Sequence, residues 1–221
     1  MFIGHFALGL ASKKIDKRPP LAVMFIAVQF LDLLWPVFVL FGIETFQIEV
    51  GNTMMTPLNF TSYPYSHSLL ASLVWGFLFG LTFYLITKNR KGSLLLFGLV
   101  FSHWVLDFLT HRTDLPLSPF SDIKVGLGLW NFPIIESVFE IGLFVAGVAL
   151  YYRSIIPKRQ IAFWTLISVL LVIHLMNIFG PPPPNVEIVA WSANLVWLFV
   201  LLAWWIESRS RKQTVDNTVS L

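Results

Sequence analysis

Long apolar stretches separated by short polar connections dominate the chain. A helix that crosses a hydrocarbon core of about 30 Å needs roughly 20 apolar residues. Six stretches are long enough: 21–43, 65–87, 92–110, 132–152, 161–179 and 186–206. A seventh, 1–11, is too short to span alone and lacks the basic leader of a signal peptide, so we expect a half-inserted or re-entrant helix that is not cleaved. The pattern predicts an all-α, polytopic membrane helical bundle.

Composition supports a membrane protein. With 56% hydrophobic and only 12% charged residues, the chain has too little polar surface to coat a soluble globule. The net charge of +3 gives no argument for a nucleic-acid partner. Cysteine is absent from the sequence, which excludes disulfides, thiolate zinc sites and thiol redox chemistry. Any metal must therefore be held by imidazole and carboxylate groups.

Basic residues fall in every second connection, which predicts the orientation. They cluster at 13–18, 88–91, 153–159 and 209–212, whereas the connections 44–64, 111–131 and 180–185 hold few. The positive-inside rule places the basic clusters in the cytoplasm. We therefore expect a single membrane-embedded domain over 1–207 and a polar cytoplasmic tail over 208–221, in a bacterial or archaeal cytoplasmic membrane.

Six ionisable side chains of metal-binding types lie in or at the ends of the apolar segments. Charges in hydrocarbon are costly, so such residues usually pair with each other, face a cavity or hold an ion. The six are His5, Asp32, His67, His103, Asp107 and His111. They make a polar, metal-binding site the leading prediction.

The strongest local motif is His103-x3-Asp107-x3-His111. Residues four apart advance by only about 40° around a helix, so the three side chains form one stripe. The alternative is a hydrogen-bonded polar seam between helices. Helix rise also places Asp32, Asp107 and Glu136 at similar depth in the outer half of the bilayer, about 16 to 24 Å from the cytoplasmic ends. We expect His67 and His111 nearer the outer interface.

Short motifs around these residues resemble a known family. They are Gly4-His5-Phe6, Leu31-Asp32-Leu33, Tyr65-Ser66-His67-Ser68 and Ser102-His103-x3-Asp107-x3-His111. The chain to about residue 140 thereby resembles the membrane-bound metal-dependent hydrolases of the YdjM type. That family is distantly similar to the zinc-dependent phospholipase C and single-strand nuclease superfamily. Two features differ: Glu136-x3-Glu140 stands where the superfamily has His-x3-Glu, and nothing in the sequence implies that the Met1 amine is a ligand.

The resemblance implies a catalytic centre with two divalent ions, zinc or else manganese, bridged by Asp32 and a water that attacks a phosphodiester. His5, His67, His103 and Asp107 would be ligands. His111 would complete a site or orient another ligand, and Glu136 would be a ligand or a general base. Arg112 and Lys124, on an outer loop, are candidates for holding a phosphate, or else are solvated loop charges.

Depth and resemblance together suggest lipid head groups or lipid-linked phosphates as substrates, met at the extracytoplasmic side, with soluble phosphodiesters left open. Two alternatives belong to other classes. A proton- or metal-coupled transporter would use the same ionisable residues together with His174 and Asn177. A structural or regulatory membrane subunit would hold a metal for stability alone.

Overall fold

Most of the chain is helical in the computed structural model, which describes residues 1–208. In chain order the helices are α1 (Ile3–Ala11), α2 (Leu21–Val28), α3 (Phe30–Leu40), α4 (Pro64–His67), α5 (Leu69–Thr87), α6 (Arg90–Thr110), α7 (Pro133–Ser154), α8 (Gln160–Phe179), α9 (Val186–Ala193) and α10 (Val196–Glu207). Two antiparallel hairpins pair β1 (Thr45–Ile48) with β2 (Leu58–Ser62), and β3 (Leu115–Ser118) with β4 (Ser121–Val125). Beyond Ser208, the predicted tail lies outside the described residues.

The predicted membrane-spanning bundle is confirmed. Within residues 1–208, five helical segments are long and apolar enough to cross a membrane: α5, α6, α7, α8 and the α9–α10 pair. Helices α2 and α3 form a sixth span if they are taken together, but they meet at an angle of 56°. The first predicted span, 21–43, is therefore broken rather than continuous.

The break between α2 and α3 is stabilised by a side chain from α6. Gln29, at the junction, has φ −101° and ψ 8°, outside the α-helical region. The carbonyl of Val28, the last residue of α2, accepts a hydrogen bond of 2.6 Å from His103 Nδ1. An interhelical bond thus replaces a regular helical one, and Asp32 enters the first turn of α3 beside α6.

The N-terminal helix α1 lies inside the bundle. Its residues Ile3, Phe6, Ala7 and Leu10 have no exposed surface and pack in the core formed with α2, α7, α8 and α10. A Cβ on Gly147 of α7 would lie 2.5 Å from the carbonyl oxygen of Ala7, so the missing side chain allows the two backbones to touch. The predicted half-inserted helix is therefore an enclosed element.

The connections gather at two opposite ends of the bundle, as the alternation of basic loops predicts. At the basic end, Lys13 Nζ lies 2.8 Å from Glu207 Oε1. Asn89 Nδ2 donates to Asp16 Oδ2 at 3.2 Å. The Arg18 guanidinium bonds the same carboxylate and lowers the pKa of Asp16 to about 2. These contacts tie α1, α6 and α10 together near their basic connections.

The hairpins occupy the other end, in connections that the sequence analysis treated as loops. Phe46 and Phe60 are paired across β1 and β2, and both rings contact Trp35 of α3. Arg112 Nη2 donates to Asn59 Oδ1 at 2.5 Å and so links the first hairpin to the end of α6. The strands are only four or five residues long, too short for alternation to distinguish them from loop.

Candidate metal centre

Five of the six predicted metal ligands come together between four helices. They are His5 of α1, Asp32 of α3, His67 of α4, and His103 and Asp107 of α6. They form two groups, one of His5, His103 and Asp107 and the other of Asp32, His67 and His103, and within each group the ligand atoms lie within 4.8 Å of one another. His103 belongs to both groups.

Asp107 presents one oxygen to each side of this cluster. Its Oδ1 lies 3.2 Å from His5 Nε2, and its Oδ2 lies 3.2 Å from His103 Nε2 and 3.8 Å from His67 Nε2. Asp32 Oδ1 lies 3.4 Å from His67 Nε2 and 3.7 Å from His103 Nε2. Both carboxylates thus face the Nε2 atoms of the three imidazoles.

Two buried imidazole nitrogens make the cluster suitable for a cation. The Nε2 atoms of His5 and His103 form no hydrogen bond within the described chain, although both residues are only 1% exposed. Leaving such a group unsatisfied costs about 1 to 3 kcal/mol. A divalent ion between these nitrogens and the carboxylates would satisfy them, and imidazole with carboxylate suits zinc. The Met1 amine also lies 3.0 Å from Asp107 Oδ1, a contact that the sequence analysis did not expect.

The cluster opens at Asp32. The Asp32 side chain is 34% exposed, whereas those of His5, His67, His103 and Asp107 are at most 5% exposed. A molecule that approaches the cluster therefore meets Asp32 first.

A buried glutamate outside the cluster orients His67. Ser66 Oγ lies 2.7 Å from His67 Nδ1 and donates to Glu44 Oε2 at 2.6 Å. Glu44 Oε1 accepts the backbone N–H groups of Tyr65 and Ser66, each at 2.8 Å. The chain of bonds turns His67 Nε2 toward Asp32. Sequence reasoning missed Glu44, because a lone glutamate at the start of a loop resembles an ordinary solvated charge.

His67 reaches the cluster because its helix does not begin as the sequence predicted. One continuous span was predicted to begin at residue 65. The chain instead forms the single-turn helix α4 and then an extended residue, Ser68, with ψ 154°. Helix α5 starts only at Leu69. This separate turn carries His67 inward to Asp32 and His103.

His111 belongs to neither ligand group among the described residues, so it does not complete a site as a ligand. Helix α6 ends at Thr110, so His111 is an extended C-cap and leaves the stripe. Its Nδ1 lies 3.1 Å from Asp114 Oδ1 and 3.2 Å from the Tyr63 hydroxyl. Burial of Asp114 favours its neutral form, but hydrogen bonds from His111, Arg112 and Tyr63 outweigh burial and lower its pKa.

Glu136 also lies outside both groups. Its carboxylate oxygens are buried and form no hydrogen bond in the part of the chain that the structure describes. Glu140, one turn further along α7, accepts the backbone N–H of Phe2 at 2.6 Å and of Gly4 at 2.9 Å through Oε1. His174 Nδ1 lies 3.8 Å from Glu140 Oε2. Glu140 is thus bonded to the start of α1.

Arg112 and Lys124 share an open cleft of about 650 Å³ at the hairpin end. The cleft is lined by Asn59, Phe60, Thr61, Arg112, Thr113, Asp114 and Lys124. Arg112 Nε donates to Asp114 Oδ2 at 3.2 Å, and Lys124 Nζ donates to the Thr61 carbonyl at 3.3 Å. Asp114 connects this cleft, through Tyr63, to the ring of His67 in the cluster.

The family model for the YdjM inner membrane protein matches residues 3–180. The chain belongs to the YdjM inner membrane protein family. The match covers most of the chain and all five clustered residues. Family membership and the apolar helices together identify an integral membrane protein, as the composition predicts. No curated protein and no solved structure shows significant similarity to the chain.

Proposed function

We propose that the protein is a membrane-embedded, metal-dependent hydrolase of phosphoric esters, a phosphodiesterase or phospholipase C-like enzyme. The observation that carries this proposal is the convergence of three imidazoles and two carboxylates from four helices. The Nε2 atoms of His5 and His103 are buried there, each 3.2 Å from an Asp107 oxygen but without the geometry of a hydrogen bond. A purely structural polar seam would be expected to satisfy those nitrogens with hydrogen bonds.

The residues present fit two divalent ions, with zinc favoured over manganese by the donor set. His5 and Asp107 would hold one ion, and Asp32, His67 and His103 the other. Asp107 faces both groups, so it is better placed than Asp32 to bridge them. The ions would supply Lewis acidity toward a phosphoryl oxygen and activate a water for attack.

We assign the positioning and deprotonation of the attacking water to Asp32. Its accessible carboxylate lies at the opening of the cluster, where it can orient the attacking water and accept its proton. Glu136 is less well placed for that role, because it belongs to neither ligand group.

The substrate class follows from the location of the cleft. Arg112 and Lys124 line the cleft at the hairpin end, which Asp114 and Tyr63 connect to His67 of the cluster, and they would bind a second phosphate or an anionic head group. The basic connections lie at the opposite end, which the positive-inside rule assigns to the cytoplasm together with the C-terminus. Lipid head groups or lipid-linked phosphates on the extracytoplasmic side are therefore the proposed substrates.

A hydrolysis assay on the purified protein in lipid nanodiscs tests this proposal. Nanodiscs of defined phospholipids, with and without a lipid-linked phosphate, are incubated with zinc, and released phosphorylated head groups are measured by mass spectrometry. We expect release by the wild type and none by His103→Ala or Asp107→Ala. Arg112→Ala should weaken substrate binding without loss of metal. A metal-loaded wild type that releases nothing from any substrate would favour a stabilising metal in a structural subunit.

A proton- or metal-coupled transporter is the second candidate, and one observation favours it. Glu136, Glu140 and His174 are buried ionisable residues on α7 and α8, within spans where such residues often serve as proton pathways. Zinc or proton uptake by proteoliposomes distinguishes the classes. Uptake that is abolished by Glu136→Gln, in a protein without hydrolytic activity, would replace the hydrolase proposal.

A further inference from the structure

A carboxylate from α7 holds the first turn of α1. The first N–H groups of a helix have no partner within that helix. Glu140 Oε1 accepts two such groups, from Phe2 and Gly4, and the Glu140 side chain is buried. A Cβ built on Gly4 would lie 3.6 Å from the Glu140 Cγ, so the Glu140 side chain passes close to this first turn. The residue therefore fixes both the height and the rotation of α1.

The position of the His5 ring depends on where α1 lies, because no hydrogen bond within residues 1–208 fixes this ring as one fixes His103 and another fixes His67. His103 Nδ1 is held by the Val28 carbonyl, and His67 Nδ1 by Ser66 Oγ. Both ring nitrogens of His5 are without a hydrogen bond among the described residues. Its ring is located by the path of α1 and by stacking on His103, with ring centroids 3.6 Å apart and an interplanar angle of 1°.

We propose that Glu140 is a positioning residue of the metal centre, which holds α1 so that His5 Nε2 faces Asp107. This inference rests on the proposed metal centre. Glu140 acts through the backbone of α1 and is not itself a ligand, since it belongs to neither ligand group. One oxygen accepts both N–H groups, so a neutral glutamine can make the same two bonds. The role therefore needs the acceptor and not the charge.

The test compares Glu140→Ala with Glu140→Gln in the full-length protein in mild detergent. Zinc per chain is measured by elemental analysis, and the coordination environment by the visible absorption of the cobalt-substituted protein. We expect Glu140→Ala to lower the affinity for one ion by about 10- to 100-fold, as loss of an orienting contact does. Its cobalt spectrum should match that of His5→Ala. Glu140→Gln should keep the wild-type zinc content and spectrum.

Two further variants separate this role from general damage to the fold. His174→Ala removes the imidazole that lies 3.8 Å from Glu140 Oε2 and should leave zinc content unchanged. Gly4→Pro deletes one of the two donors at a first-turn position that tolerates proline, and Gly4→Ala controls for the added carbon. If Glu140→Ala does not fold, loss of one ion in Gly4→Pro but not in Gly4→Ala supports the same role.

Two outcomes would overturn the positioning role. One is a Glu140→Ala protein with the zinc content and cobalt spectrum of the wild type. The other is loss of zinc in Glu140→Gln, which would mean that the charge acts directly on the metal. A folded wild type without zinc would instead refute the metal centre itself, so the two failures are distinguishable.

Discussion

Glu44 offers the sharpest test of how the second ligand group is oriented. Its carboxylate accepts three hydrogen bonds, two from backbone N–H groups and one from Ser66 Oγ, and Ser66 in turn contacts His67. Glu44→Gln keeps an oxygen for the backbone donors, but it places an amide donor opposite the Ser66 hydroxyl. The Ser66 hydroxyl then accepts from this amide and donates to His67 Nδ1, so the imidazole proton is held on Nε2, the nitrogen that would bind the ion.

The expected effect is on metal affinity. Removing a group that orients a metal-bound histidine typically costs 10- to 100-fold in affinity, which is about 1.4 to 2.8 kcal/mol at the ion held by Asp32, His67 and His103. Competition of the purified protein with a chromophoric chelator measures it. The control is Glu49→Gln, because Glu49 lies in the same hairpin, is exposed, and has a carboxylate that bonds only Asn59 among the side-chain contacts described. Equal zinc affinity in Glu44→Gln and wild type would refute the proposed orientation of His67.

Three further predictions concern stability, measured by thermal unfolding in detergent. Gly147→Ala should destabilise the protein by about 1 to 3 kcal/mol, because its Cβ meets the backbone of α1, whereas Gly142→Ala on the same helix has open space and should not. Lys13→Met leaves the Glu207 carboxylate without its buried partner and should cost about 3 kcal/mol, part of which Glu207→Gln restores in the double variant. The pKa of Asp16 is lowered to about 2, so its contribution to stability is complete above about pH 4 and lost as the pH falls through 2; Asp16→Asn should remove that dependence.

The sequence alone predicted the spans from hydropathy, and it singled out the five clustered residues because they are ionisable side chains in apolar segments. His103 and Asp107 are four apart on one long helix, so their shared face follows from helix geometry. Asp32 could be assigned by depth, but its approach to His103 depends on a break at Gln29 that no proline or glycine marks. His111 was placed on the same stripe because helix α6 was assumed to contain one more residue than it does.

Contacts between distant segments could not be predicted from the sequence. Glu44 and Ser66 lie 22 residues apart, and Glu140 and Gly4 lie 136 apart, so no periodic pattern connects them. Helix α1 was expected to be half-inserted or re-entrant because it is too short to span. Its enclosure depends on Gly147, which allows α7 to approach it closely.

Elemental analysis of the purified, unchelated protein tests the metal centre most directly, with Asp107→Ala and His111→Ala measured beside the wild type. The wild type should hold about two zinc or manganese ions per chain. Asp107→Ala should lose both, because Asp107 presents an oxygen to each side of the cluster. His111→Ala should keep both, because its imidazole bonds Asp114 and Tyr63 instead. A folded wild type without metal above background would contradict the proposed centre.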